Sequence, residues 1–286
     1  MQVKALACEL PVRRGLPFSR LSVSDIAREA CASGIVATIS KTRVWNWLHE
    51  DAIRPWCHRS WLFPRDPSFA EKAGRILDLY HRTWNGEPLT ENEFVLSADE
   101  KTAIQALSRC HVPVPPSPGS VMKIEHEYVR HGTMVYLAAL DVHHMRLFGR
   151  CEAKSGIRPF DALVEQIMTQ EPYRDAKRVF LVVDNGSSHR GEKCVRRLQD
   201  RYPNLVVVHG PIHASWLNQI EIYFSVLQRK VLTPIDVVRL EELERRIMAF
   251  QQHYETIAKP FEWKFTRTDL VALLQRVSPI AVTRAA

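Results

Sequence analysis

The chain contains the stretch Val179-Phe180-Leu181-Val182-Val183-Asp184-Asn185-Gly186, in which an aspartate directly follows five apolar side chains. A short apolar run that ends in turn-forming residues predicts a strand buried on both faces. Helical patterns flank it at about residues 161–170 and 191–202, and a second apolar strand is predicted at 205–209. Strands that alternate with helices in this way are typical of the parallel part of an α/β sheet.

Further strands are predicted upstream of this stretch, and further helices on both sides of it. The additional elements are strands at 94–99, 133–140 and 146–151 and helices at 67–84, 215–231, 238–257 and 268–276. The two strands at 133–140 and 146–151 indicate a hairpin. Leading strands followed by alternating helices and strands predict a mixed α/β sheet flanked by helices.

Three acidic residues lie in apolar surroundings, where a charge needs a partner or a metal ion. Asp99 ends the strand at 94–99, Asp184 ends the run quoted above, and Glu221 lies inside the predicted helix 215–231. Two divalent ions held by carboxylates can activate a water or hydroxyl and stabilise the leaving oxygen of a phosphodiester. Magnesium prefers such oxygen ligands. The three residues therefore predict a metal site for phosphodiester chemistry.

Each acidic residue, taken singly, also has a structural explanation. Asp99 can cap a turn, Asp184 begins a typical turn sequence, and Glu221 can pair with Arg229. Along the predicted helix 215–231, however, Asn218, Glu221 and Ser225 form a polar strip beside the apolar stripe. Such a strip favours a helix that borders a cleft.

Residues 21–48 predict two short helices around Ser33-Gly34. The second helix buries Val44, Trp47 and Leu48. The side chains on its outward face are Lys41, Thr42, Arg43 and Asn46. A helix-turn-helix presents its recognition helix in this way, and a plain helical hairpin with a basic face has the same pattern.

Residues 54–65 combine cations and aromatic side chains between prolines. This segment, with Arg54 and Arg59, is either an arm along a DNA backbone or an interdomain linker, and the two interpretations are compatible. The formal net charge of +7 indicates an anionic partner. Double-stranded DNA is such a partner.

The six cysteines are scattered without a C-x-x-C pair, which is typical of reduced cytosolic thiols and excludes a zinc ribbon. The chain has neither an apolar run of about 18 residues nor an N-terminal signal pattern. We therefore predict a cytoplasmic protein without a membrane partner.

Four sequence motifs, in the same order along the chain, resemble those of bacterial insertion-sequence transposases related to the mariner group. They are Leu96-Ser97-Ala98-Asp99-Glu100-Lys101-Thr102, Tyr128-Val129-Arg130-His131-Gly132-Thr133, Val183-Asp184-Asn185-Gly186-Ser187-Ser188-His189 and His213-Ala214-Ser215-Trp216-Leu217-Asn218-Gln219-Ile220-Glu221. The resemblance covers essentially the whole chain. It implies a DDE-type endonuclease domain of ribonuclease H-like fold behind an all-α helix-turn-helix domain.

The resemblance also implies roles for individual residues. Asp99, Asp184 and Glu221 match the three acidic ligands of two Mg²⁺ ions, for which Mn²⁺ can substitute. Asn218 is expected to orient Glu221. His189 either orients a water or a phosphate or has a structural role, which is more common for an exposed histidine after a turn. Asn185 matches a further motif position beside the site.

Members of this family cut DNA at the ends of their element by hydrolysis. The freed 3′-hydroxyl then attacks target DNA, usually at a TA dinucleotide. The implied partners are the terminal inverted repeats and target DNA, bound by a homodimer in the nucleoid.

The expected domains are residues 1–66 (helix-turn-helix and basic linker), 67–92 (connecting helix), 93–235 (catalytic core) and 236–286 (C-terminal helical region). Family members usually carry two helix-turn-helix units, and only about twenty residues precede the one predicted here. We therefore expect that the first unit is missing. A truncated, non-transposing DNA-binding remnant or regulator is the alternative function, and a metal-dependent nuclease for other nucleic acids is a third. The intact acidic triad favours the transposase.

Overall fold

The computed structural model describes residues 1–58, 64–186, 189 and 191–282, with side chains up to residue 276. The chain divides into two compact units, Met1–Phe63 and Pro64–Ala286. Within the described ranges, no helix combines the length and the apolar character that a membrane span requires.

The described residues of the N-terminal unit form three α-helices, which are α1 (Gln2–Cys8), α2 (Val23–Ala32) and α3 (Lys41–Glu50). Ser22 and Asp25 form a capping box at the start of α2, and Ser40 caps α3. Helices α2 and α3 occupy the predicted positions. Helix α1 was not predicted, and its residues Val3 and Leu6 complete the core formed by the other two helices.

The second unit begins with helix α4 (Phe69–Tyr80), followed by a hairpin of strands β1 (Thr83–Trp84) and β2 (Glu87–Pro88). The predicted helix 67–84 was therefore wrong at its end. Asn85 and Gly86 both adopt positive φ angles, 51° and 86°. Two such residues in succession form the turn that suits a two-residue hairpin, so the chain reverses as strands.

A five-stranded sheet forms the centre of this unit. Its strands are β3 (Glu93–Ser108), β4 (Val129–Asp141), β5 (Leu147–Glu152), β6 (Arg178–Val183) and β7 (Leu205–His209). The spatial order is β5-β4-β3-β6-β7. Strands β5, β4 and β3 are antiparallel neighbours, whereas β3, β6 and β7 are parallel. This arrangement confirms the predicted mixed sheet.

Strand β3 is much longer than predicted. It does not end at Asp99, because β4 continues to pair with it as far as Ser108. Its parallel pairing with β6 stops earlier, at Ser97 and Val182. The polar residues after Ala98 looked like the end of a strand, but an antiparallel partner satisfies their backbone groups.

Helices cover both faces of the sheet. The remaining α-helices are α5 (Ile157–Met168), α6 (Glu192–Arg201), α7 (Ile220–Leu227), α8 (Leu240–Ile257) and α9 (Arg267–Val282). Helices α5 and α6 pack on the face that carries Leu96 and Ala98. Helices α4, α7 and α8 cover the opposite face. Helix α5 begins four residues before its predicted start.

The predicted long helix 215–231 was wrong. The segment consists of a 3₁₀ turn (Ser215–Leu217), helix α7 and a π-helical turn (Gln228–Leu232). Asn218, between the first two, has an extended backbone (φ −85°, ψ 108°). Its side chain bonds to β3, and this tertiary contact interrupts the helix that the local pattern favoured.

We expect Gly149→Ala to lower the free energy of unfolding by about 1 to 3 kcal/mol, because an added Cβ would overlap Gln251 and Tyr136 in the core. Urea unfolding measures the change. Gly210→Ala is the control, since its Cβ would lie 3.5 Å from the nearest atom. Equal stability of both variants would contradict the packing described for Gly149.

Candidate active site

Asp99 of β3 and Asp184, the residue directly after β6, lie at the same end of two adjacent parallel strands. The last parallel pair is Ser97 with Val182, and two further residues along each strand lead to Asp99 and Asp184. Adjacent strands lie about 4.8 Å apart, and residues two apart point to the same face. The register therefore brings the two carboxylates to one edge of the sheet.

The Asp99 side chain is buried, with 8% of the residue exposed. The Glu100 N–H donates to its Oδ1 at 2.8 Å, and Asn218 Nδ2 donates to its Oδ2 at 3.3 Å. Both carboxylate oxygens thus have a protein donor, which fixes the orientation of the group.

Asp184 is held by the turn that follows β6. The Gly186 N–H donates to its Oδ1 at 2.7 Å, and His189 Nε2 lies 2.5 Å from the same oxygen. The neighbouring Asn185 donates from Nδ2 to the Gly210 carbonyl at 2.7 Å, which ties this turn to the loop that leads towards α7.

His189 is fully buried and lies beside Phe160, with ring centroids 4.8 Å apart and tilted planes. Its Nδ1 lies 4.0 Å from Glu100 Oε2, while its Nε2 faces Asp184. The sequence left open whether His189 orients a water or a phosphate or has a structural role as an exposed residue after a turn. In the structure it is buried rather than exposed, with its ring between two carboxylates.

Glu221 lies in the first turn of α7 and is partly buried. Among the described residues it forms no salt bridge, so the pairing with Arg229 that was considered from sequence is not seen. Burial raises the pKa of Glu221, the Lys101 charge opposes this shift, and the Asp184 charge adds to it. Glu221 and Asp184 therefore share one electrostatic environment.

The pKa values of Asp99 and Asp184 are shifted in opposite directions. Burial, with the charges of Asp184, Glu221 and Glu100, raises the pKa of Asp99 to about 7. The hydrogen bond from His189 lowers the pKa of Asp184. Asp99 therefore binds a proton more readily than Asp184.

The donor set fits a hard divalent cation, because it consists of carboxylate oxygens whose negative charges repel one another. In the described part of the chain, no three His, Cys, Asp or Glu side chains lie close enough to form a ready-made metal cluster. Magnesium needs only one or two protein carboxylates and keeps several waters. Asp99, Asp184 and Glu221 are the residues that would hold it.

Asn218 differs from its predicted position and contact. It lies before α7, and its side chain bonds to Ser97, the Ala98 carbonyl and Asp99. In the described residues, the Glu221 carboxylate is not among the partners of this side chain, and the contact between the two residues is the Glu221 N–H, which donates to the Asn218 carbonyl at 3.1 Å. The sequence spacing predicted that Asn218 and Glu221 lie along the same polar side of one helix, and the break in the helix at Asn218 removes that alignment.

The N-terminal unit presents a separate polar surface on α3. All four predicted DNA-binding side chains of this helix, Lys41, Thr42, Arg43 and Asn46, are exposed, as is Arg54. Arg59 lies outside the described residues.

The sequence reasoning missed Trp45, which is 45% exposed and stacks on His49 with ring centroids 4.6 Å apart. Their i, i+4 spacing on the outward face was the available signal. Helix α3 therefore presents a stacked aromatic pair beside its polar side chains.

The family model described as DDE superfamily endonuclease matches residues 95–244. None of the curated protein sequences matches the chain.

Solved structures with a similar fold include the Mos1 mariner paired end complex with Mn, with a TM-score of 0.54, 12% sequence identity and coverage of 99% of this chain and 77% of that one. The Mos1 paired end complex with Mg has a TM-score of 0.53, 12% identity and coverage of 99% and 77%. The Mos1 strand transfer complex has a TM-score of 0.53, 11% identity and coverage of 99% and 76%. These similarities confirm the predicted ribonuclease H-like fold.

Proposed function

The chain belongs to the DDE endonuclease superfamily, and from this premise we propose that it is a transposase. It cuts DNA at the ends of an insertion element and joins the freed 3′-hydroxyl to target DNA. The observation that carries this proposal is the parallel register of β3 and β6, whose last pair, Ser97 and Val182, lies two residues before Asp99 and Asp184. Glu221, in the first turn of α7, is the third acidic ligand in this proposal.

The proposed reaction consists of two phosphoryl transfers. In the first, a water oxygen bonds to the scissile phosphorus, the bond to the 3′ oxygen breaks, and a 3′-hydroxyl remains. In the second, this hydroxyl attacks a target phosphodiester and displaces a target 3′-hydroxyl. Only the nucleophile changes, so one acidic site serves both steps.

Two Mg²⁺ ions, or Mn²⁺ in their place, would lower the pKa of the nucleophile and stabilise the departing oxygen. Asp99, Asp184 and Glu221 are the ligands in this proposal. Glu100 N–H and Asn218 fix the Asp99 carboxylate, while His189 fixes that of Asp184. The similar Mos1 structures include complexes with Mn and with Mg, which supports divalent-metal use.

The proposed partners are double-stranded DNA at the terminal inverted repeats and target DNA at TA dinucleotides. Helix α3 would enter the major groove, and the formal net charge of +7 would strengthen contacts with phosphates. A homodimer on two element ends is part of this proposal. One similar Mos1 structure is a paired-end complex with a left transposon end.

Incubation of the protein with a supercoiled plasmid that carries the DNA flanking its gene tests the nuclease activity. We expect open-circular product with Mg²⁺ or Mn²⁺ and none in EDTA. Bound but uncut plasmid at all metal concentrations would contradict the proposal.

We expect Arg43→Ala, Trp45→Ala and Asn46→Ala each to weaken binding to element-end DNA by about 1 to 3 kcal/mol, because each removes an exposed group from the proposed recognition helix. Mobility-shift titration at fixed salt measures this. Arg246→Ala, which removes an exposed cation paired with Glu242 on α8, is the matched control. Unchanged binding by all three α3 variants would remove α3 as the reading element.

A further inference from the structure

A buried hydrogen-bond network joins β3 to the segment that precedes Glu221. The Ser97 hydroxyl donates to Asn218 Oδ1 and accepts from the Ile220 N–H at 3.1 Å. Asn218 Nδ2 donates to the Ala98 carbonyl at 3.0 Å and to Asp99 Oδ2 at 3.3 Å. Ser97 and Asn218 are separated by 121 positions in sequence, so the contact is purely tertiary.

Tyr80 of α4 holds the same segment from another side. Its hydroxyl donates to the Leu217 carbonyl at 2.6 Å and accepts from the Gln219 N–H at 3.3 Å. The residues of the network are buried, with 0% of Ser97 and 5% of Asn218 exposed. The chain between the 3₁₀ turn and α7 is therefore fixed by side chains from two other elements.

Part of this network satisfies backbone groups at the helix break. A buried N–H or carbonyl without a partner costs about 1 to 3 kcal/mol, which explains the bonds to Leu217, Gln219 and Ile220. The bond from Asn218 to Asp99 satisfies no backbone group. It connects the network directly to a carboxylate of the acidic site.

We propose that Ser97 and Asn218 are positioning residues that fix the Asp99 carboxylate relative to Glu221 for metal binding. This inference rests on the proposed function. The Ser97 hydroxyl donates a hydrogen bond to Asn218 Oδ1, so the NH₂ group of the same amide faces Asp99. The same hydroxyl accepts a hydrogen bond from the N–H of Ile220, the residue before Glu221. One serine thus controls the orientation of Asp99 and the start of the helix that carries Glu221.

The contacts on Asp99 show how this control acts. The Glu100 N–H donates to Asp99 Oδ1 and Asn218 Nδ2 donates to Asp99 Oδ2. Rotation of the Asp99 carboxylate therefore breaks at least one of these hydrogen bonds. Loss of a partner that orients a ligating carboxylate typically lowers metal affinity by about 10- to 100-fold. Without the Ser97 hydroxyl, Asn218 Oδ1 loses its donor, and only the bond to the Ala98 carbonyl still orients the amide towards Asp99.

The test compares Ser97→Ala and Asn218→Ala with the unmodified full chain. We expect both variants to bind Mn²⁺ about 10- to 100-fold more weakly, measured without DNA by electron paramagnetic resonance of free Mn²⁺. The Mg²⁺ concentration for half-maximal nicking should rise by a similar factor, with DNA binding unchanged. Ser97→Thr keeps the hydroxyl and should restore Mn²⁺ binding.

Tyr173→Phe separates positioning from general stability. It removes a buried hydroxyl that bonds to Asp141 at 2.8 Å, near the beginning of β3 and away from Asp99. We expect this control to lower the melting temperature and to leave Mn²⁺ binding unchanged. Thermal unfolding of every variant shows that the compared proteins are folded.

Folded Ser97→Ala and Asn218→Ala proteins with unmodified Mn²⁺ affinity would overturn the inference and leave the proposed function intact. Equal loss of Mn²⁺ binding in Tyr173→Phe would also overturn it, because stability alone would then explain the effect. An unmodified protein that neither binds Mn²⁺ nor nicks DNA would contradict the proposed function, and the inference with it.

Discussion

Replacement of Asp184 by Asn is expected to reduce Mg²⁺-dependent nicking by at least about 100-fold, since loss of a direct ligand exceeds the loss of an orienting partner. The amide keeps the size of the carboxylate and still accepts from Gly186 N–H, so the turn after β6 should persist. It lacks the charge that a divalent ion requires. Asp99→Asn and Glu221→Gln should have the same effect.

Plasmid nicking and mobility shifts, measured on the same preparations, separate chemistry from DNA binding. Asp175→Asn is the control, because Asp175 is an exposed carboxylate paired with Arg174. We expect every variant to bind DNA like the unmodified protein. Undiminished cleavage by any of the three active-site variants would remove that residue from the site.

The second large effect is on stability. We expect the stability of Asp99→Asn relative to the unmodified metal-free protein to rise by up to about 4 kcal/mol between pH 4 and pH 8, at about 1.4 kcal/mol for each unit of pKa shift. The pKa of Asp99 is raised from 3.8 to about 7 by burial and neighbouring carboxylates. Between these values the folded state binds more protons than the unfolded state, so a rise in pH destabilises the fold. Below pH 3.8 both states are protonated and the contribution vanishes.

Urea unfolding in EDTA at pH 5 and pH 8 measures this effect. The stability difference between Asp99→Asn and the unmodified protein should grow with pH, while Asp175→Asn should show no such trend. Added Mn²⁺ should stabilise the unmodified protein at pH 8 and not Asp99→Asn. A stability difference that is equal at both pH values would show that Asp99 has an ordinary pKa.

The sequence predicted those parts of the fold that depend on local patterns. The apolar run before Asp184 predicted β6, and alternating strands and helices predicted the mixed sheet. The acidic residues were found because each interrupts or ends an apolar segment. These signals lie within a few residues of one another, so a single sequence contains them.

The remaining features depend on partners that are distant in sequence. The Asp99 strand continues because β4 pairs with it, and the helix before Glu221 is interrupted because Asn218 bonds to β3. His189 was expected to be exposed, whereas its ring is buried beside Phe160 of α5. Helix α1 was missed because its apolar residues acquire a partner only when α2 and α3 pack together.

Strand transfer tests the central claim most directly. A labelled duplex that ends in the element's terminal repeat with a free 3′-hydroxyl is incubated with the protein, Mg²⁺ and a supercoiled plasmid, and the junctions are sequenced. We predict covalent joining of the 3′ end to the plasmid at TA dinucleotides, and no joining with Asp184→Asn. Tight binding of the duplex without any joined product, at all Mg²⁺ and Mn²⁺ concentrations, would contradict the account.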